Sequence, residues 1–205
     1  MQRTKIINTL TEAINLNLET AYLRVMVYLH TAEKAPIKVI AAKLSTCHNN
    51  LGAVLQKMAD NGILEFHPET ALGDNHHILK QYCLAPLGKN TMKTILKHKL
   101  PSLKPLLGIL IRAYDAGTNL PTLRVMIYLS QVNSTTAEKL AKRLKILESS
   151  ATDRLKKIIT LKLIQRLANK TRGQTIKPKT QFILSRDGED ATLKILNIKR
   201  PKKIA

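Results

Sequence analysis

The chain has no tryptophan, two phenylalanines and five tyrosines among its 205 residues. So few aromatics argue against gripping single-stranded nucleic acid, where successive bases stack on successive rings. Cysteine is as scarce. Cys47 and Cys83 make neither a disulfide framework nor a zinc cluster, and they fit a reducing, intracellular setting. No apolar run approaches the ~18–20 residues of a membrane-spanning helix. Near the start, Arg3 and Lys5 are followed by Thr9, Thr11 and Glu12, so no signal peptide is expected. There is no Gly-rich phosphate loop, and no Ser/His/Asp or carboxylate arrangement stands out. Neither enzymatic activity nor a cofactor is expected.

Acidic residues are also short, 14 against 34 Lys and Arg, for a net charge of +20. The usual partner of such a chain is a polyanion, most often nucleic acid and less often an anionic membrane surface. The excess is uneven, +5 over residues 1–100 and +15 over 101–205.

What the chain does have is an internal repeat. Leu23-Arg24-Val25-Met26-Val27-Tyr28-Leu29 returns as Leu123-Arg124-Val125-Met126-Ile127-Tyr128-Leu129. Laid over each other without a gap, the two halves agree at roughly 19 of 100 positions, among them Ala13/Ala113, Leu44/Leu144, Leu55/Leu155, Leu84/Leu184, Gly88/Gly188, Ile95/Ile195 and Leu96/Leu196. Two copies of one unit are therefore expected: residues 1–100, residues 101–198, and a basic tail over 199–205.

Within the first copy, Ile6, Ile7, Leu10 and Ile14 mark an amphipathic helix over 3–15. A largely buried helix follows from Glu19 to His30, with Arg24 and Tyr28 toward its edges. Pro36 suits the first turn of a third helix, through Leu44. Leu51, Val54, Leu55 and Met58 place a fourth up to Asp60, stopped by Asn61-Gly62. The period then changes to strands at 63–66 and 78–84 around a turn over 68–76, with a last helix from Leu87 to His98. The second copy repeats this order: helices at 106–114, 120–130, 135–145 and 147–160, strands at 163–167 and 181–184, and a helix over 188–197.

Two short helices across a tight turn, then a β-hairpin, is the winged helix-turn-helix arrangement. The expected fold is mainly α with small β-hairpins: tandem winged helix-turn-helix domains in a pseudo-two-fold arrangement. On Arg24 to Leu29, Ile40-Ala41-Ala42-Lys43-Leu44, Leu51 to Met58, Asn61-Gly62-Ile63-Leu64 and Tyr82 to Gly88, each copy resembles the MarR-type regulators. Members of that family usually carry one such domain and pair through terminal helices. Two fused copies resemble a dimer in one chain, leaving further self-association open. The resemblance also implies wings with an Asp followed by Arg. The first copy has Asp74 but His76-His77, and the second lacks the Asp and spreads Lys170, Arg172, Lys177 and Lys179 through its wing. MarR relatives often bind small phenolic effectors, but no pocket for one is identifiable here.

The resemblance and the charge point to double-stranded DNA as partner, a transcription regulator as function and a cytoplasmic, nucleoid-associated location. The fourth helix of each copy is the candidate reading helix. Its outward set in the first copy is His48, Asn49, Asn50, Gly52, Ala53, Gln56 and Lys57. In the second copy it is Glu148, Ser149, Ser150, Thr152, Asp153, Lys156 and Lys157, with Arg154 at the rim. Asn pairs bidentately with adenine, small residues admit a thymine methyl, and lysines suit phosphates. Because the two faces differ, an asymmetric site is expected. Two other readings stand beside this one: a plasmid or phage replication initiator or architectural DNA-binding protein, and a winged-helix interaction module. Adjacent His76 and His77 point opposite ways on a strand, so with His67 they make a poor shared metal site, and none is expected. Cys83 is expected in the core. Cys47, opening a reading helix, is a candidate redox switch.

Overall fold

The computed structural model describes residues 2–70, 78–98, 100, 102–132, 134–167 and 180–198. Over these the chain is mainly helical, with two small antiparallel sheets. It divides into two compact units, Met1–Gly117 and Thr118–Ala205.

The first unit opens with α1 (Gln2–Asn15) and α2 (Thr20–Ala32). A short strand β1 (Lys34–Pro36) precedes α3 (Ile37–Lys43), and α4 (His48–Asp60) follows. The hairpin is β2 (Leu64–Thr70) and β3 (Ile78–Leu84). Then come α5 (Pro86–Ile95), a 3-10 turn (Leu96–His98) and α6 (Lys104–Asp115). The sheet order is β1-β3-β2, with Lys34 opposite Cys83 and Glu65 opposite the same Cys83 from the other side. The sequence reading missed β1, because three residues ending in a proline carry no alternation. Pro36 is the residue before α3 rather than inside its first turn.

The second unit runs α7 (Leu120–Leu129), α8 (Ala137–Leu144), α9 (Glu148–Thr160), β4 (Ile164–Leu167), β5 (Gln181–Leu184) and α10 (Arg186–Leu196). Where the first unit has β1, the described residues of the second show a single bridge, Thr135 to Phe182. The first helix of the second repeat, α6, packs against α2 and belongs to the first unit, so the repeat boundary and the packing boundary differ.

Each core follows from its helix stripes. Ile7, Leu10, Leu23, Met26, Ile40, Leu51, Leu55 and Met58 are fully enclosed in the first unit, as are Leu123, Met126, Leu140, Leu155 and Ile158 in the second. Apolar side chains at i, i+3, i+4 and i+7 leave water together, which is the main drive for this packing. Side-chain caps fix helix starts where loops are short: Asn119 accepts from Thr122 N at 3.0 Å, and Ser185 from Gly188 N at 3.0 Å.

Gly88 and Gly188 have a shared steric reason. A β-carbon on Gly88 would collide with the Ile63 carbonyl oxygen, and one on Gly188 with that of Leu163. The same turn is tied by Ala85 N donating to Ile63 O in the first unit and Ser185 N to Leu163 O in the second, both at 3.0 Å. The last helix of each repeat thus starts directly against the backbone that leads into the hairpin.

Candidate nucleic-acid interface

The geometry around α4 starts from an unexpected side chain. Arg24, placed by its sequence at the edge of α2, is only 1% exposed, and Arg124 is fully buried. The edge assignment is corrected by α6, which lies on α2 and sets the Tyr114 ring 3.4 Å from the Arg24 guanidinium carbon. Arg24 Nη1 donates to Leu44 O at 3.4 Å, and Nη2 to Thr46 Oγ1 at 3.5 Å. Leu44 and Thr46 form the turn between α3 and α4, so this guanidinium braces that turn from inside. Burial lowers its pKa, while Tyr114 and Asp115 act against the shift. The arginine repeated inside the best-matching run was a signal of a structural role.

Arg124 takes the corresponding place in α7. Burial pulls its pKa down to about 10, and the charge of Arg154 adds to this. Arg154, on α9, is half-buried and its own pKa is lowered by burial. Its Nη1 is enclosed with no hydrogen-bond partner among the described residues. Arg154 is therefore turned partly into the second unit.

The remaining positions of α4 sort as a helix face should. His48, Asn49, Asn50, Ala53, Gln56 and Lys57 are exposed. Gln56 donates to Asp60 Oδ1 at 2.8 Å along the same face. Gly52 is half-buried, and a β-carbon there would meet Ile37 of α3 at 3.8 Å, so it belongs to the flank where α3 crosses. On α9, Glu148, Ser149, Asp153, Lys156 and Lys157 are exposed, while Ser150 and Thr152 are half-buried. Lys156 sits 3.5 Å from Asp153 in a solvated pair. Lys170, Arg172, Lys177 and Lys179, expected in a second wing, Asp74, His76 and His77, expected in a first, and the tail all lie outside the described residues.

Three features escaped the sequence reading. Leu147, directly before α9, is 74% exposed, an apolar side chain held at the mouth of the polar face. In the second unit Lys162, Arg166 and Arg186 line an open groove of about 780 Å3 together with Asp187. These cations are scattered in the sequence and meet only where α9, β4 and α10 converge. In the first unit, Cys83 is half-buried rather than in the core. Its Sγ lies 3.4 Å from Glu65 Oε1, and His67 Nε2 lies 3.8 Å from the same oxygen. Burial first, then Glu65, push the Cys83 thiol pKa up, against Lys89 and Lys34. Cys47 is exposed at the start of α4 and makes no side-chain cap.

No protein-family model, curated protein or solved structure matches this chain.

Proposed function

We propose that the chain is a sequence-specific double-stranded DNA-binding transcription regulator of MarR-like kind, with two winged helix-turn-helix modules in one polypeptide. α4 and α9 are its reading helices. The observation that carries this is the exposure of one continuous polar face on each, directly after a short turn and before a hairpin, in a chain of net charge +20.

Asn49 and Asn50 present the bidentate amides that read adenine, with Ala53 beside them for a thymine methyl. On α9, Ser149 and Asp153 face the bases, Lys156 and Lys157 the phosphates, and Leu147 offers a second methyl contact. Arg24 holds the α3–α4 turn and so sets the angle at which α4 leaves it. The wing cations Lys170, Arg172, Lys177 and Lys179 add phosphate contacts. A cytoplasmic, nucleoid-associated location follows from this reading.

Selection of bound duplexes from a random pool, read beside the protein's mass in solution, tests it. A site without internal symmetry is expected, because the outward residues of α4 and α9 differ at nearly every position. Affinity should fall steeply with salt as counterions are released, with a log–log slope of about −0.9 per phosphate contacted. Perfect palindromes bound by a single chain, or binding indifferent to salt, would overturn the reading. Enrichment of repeated origin-type sites would select a replication initiator instead.

A further inference from the structure

Glu65, His67 and Cys83 come together on one face of the first unit's sheet, with His67 exposed and Glu65 and Cys83 half-buried. Residues 65 and 67 are two apart on β2, so their side chains leave the same face, and Cys83 of β3 stands directly opposite Glu65. One ligand atom from each lies within 4.8 Å of the other two. Zinc bonds of ~2.0–2.3 Å at a tetrahedral angle put ligand atoms about 3.3–3.5 Å apart. The thiol–carboxylate distance of 3.4 Å and the imidazole–carboxylate distance of 3.8 Å are already near that spacing.

The repeat supplies a comparison within the chain. The corresponding positions of the second unit are Gln165, Leu167 and Ile183, and Gln165 pairs with Ile183 in the same register. The strand pairing is kept, while the thiol, imidazole and carboxylate are all absent there. The fold therefore does not need the three ligands for its own sake.

We propose that Glu65, His67 and Cys83 form a zinc-binding site at the base of the first wing, with water in the fourth position. The mixed S, N, O donor set suits Zn²⁺ rather than a hard cation such as Mg²⁺ or Ca²⁺. On binding, Zn²⁺ bonds Cys83 Sγ and the thiol proton passes to solvent, with no change of oxidation state. The groups facing the thiol are Glu65 and His67 on β2, Lys34 on β1 and Lys89 on α5. The two lysines stabilise the thiolate and oppose the metal, so affinity stays below that of a closed four-ligand site. The bound ion ties β2 to β3. This differs from the expectation that metal is absent, which weighed the histidines without the register that brings Cys83 beside Glu65 and His67.

The full-length chain, stripped with chelator and reduced, is titrated with Zn²⁺ by calorimetry and with Co²⁺ by absorption. One ion per chain is expected, with a thiolate-to-cobalt charge-transfer band and tetrahedral ligand-field bands. Cys83→Ser should remove the charge-transfer band and weaken binding by more than about 100-fold, beyond the ~10–100-fold effect of losing an outer-shell partner. The triple variant Glu65→Gln, His67→Leu, Cys83→Ile copies the second unit and should fold, as circular dichroism will show, without binding. Cys47→Ser and the pair His76→Ala, His77→Ala should bind as the parent does. A cobalt complex without sulfur character overturns the assignment, as does binding that survives in the triple variant or is lost only with Cys47, His76 or His77. These readouts involve no DNA, so they stand apart from the reading of α4 and α9.

Discussion

Replacing Gly88 or Gly188 by alanine should damage the fold far more than one methyl group usually does. At each position the new β-carbon runs into a backbone carbonyl, Ile63 O or Leu163 O, and no rotamer change can move a backbone atom aside. The last helix of the repeat must back away from the hairpin turn. Overpacking strain of this kind costs about 1–3 kcal/mol. Displacing the helix also stretches the 3.0 Å hydrogen bond from Ala85 N or Ser185 N to the same carbonyl, for about 1 kcal/mol more. Alanine's better helix propensity returns at most ~1 kcal/mol, and less in a first turn. The net loss is about 1–3 kcal/mol, or a fall in Tm of roughly 5–20 °C for units of this size. Gly52→Ala is the matched control. It sits in the middle of α4, where a β-carbon would meet Ile37 at an ordinary 3.8 Å, so it should gain about 0.5–1 kcal/mol. Urea and thermal unfolding followed by circular dichroism measure all three. If Gly88→Ala and Gly188→Ala fall within about 0.5 kcal/mol of Gly52→Ala, the spread of ordinary surface substitutions, the steric account of the repeated glycine is wrong.

The Arg24–Tyr114 stack is open to a double-mutant cycle with Arg24→Met and Tyr114→Leu. A coupling energy of about 1–2 kcal/mol is expected for a desolvated cation over a ring, and a coupling near zero would reduce the contact to packing. Glu12 is held below its usual carboxyl range chiefly by a hydrogen bond from Lys97 at 2.9 Å, with burial acting the other way. Its folded pKa is the lower one, so this stability is present above the unfolded value and is lost as pH falls through the folded one. Glu12→Gln should therefore cost under ~1 kcal/mol at neutral pH, a cost that shrinks as pH falls below the ordinary glutamate range and vanishes below the folded pKa; a gap that persists in strong acid would point to packing rather than charge. Lys162 holds a left-handed φ of 58° where the first unit has Gly62 at 66°. Lys162→Gly should be neutral or stabilise by up to about 1 kcal/mol, and clear destabilisation in the same unfolding assay would show that the lysine side chain carries more than the turn.

Much of the architecture was legible because periodicity is a local property. The stripes Leu51, Val54, Leu55, Met58 and Ala151, Leu155, Ile158 place α4 and α9 within a residue or two of their observed bounds. The exposed faces opposite those stripes follow by subtraction, which is why most of the candidate reading residues are on the surface. Gly52 and Arg154 depart from that subtraction, since whether a flanking position is open depends on what crosses it. For Gly52 the crossing element is α3, which no helical wheel of α4 can show.

By itself the sequence determined that one unit occurs twice, that each copy is helices followed by a hairpin, and that the net charge is +20. Each of these is written in neighbouring residues or in sums over the chain. The burial of Arg24 beneath Tyr114, the close approach that forbids a side chain at Gly88, and the gathering of Glu65, His67 and Cys83 were decided only by tertiary structure. They join positions some 20 to 90 residues apart, and which distant residues meet is set by helix packing and strand register, neither of which any short window of sequence contains.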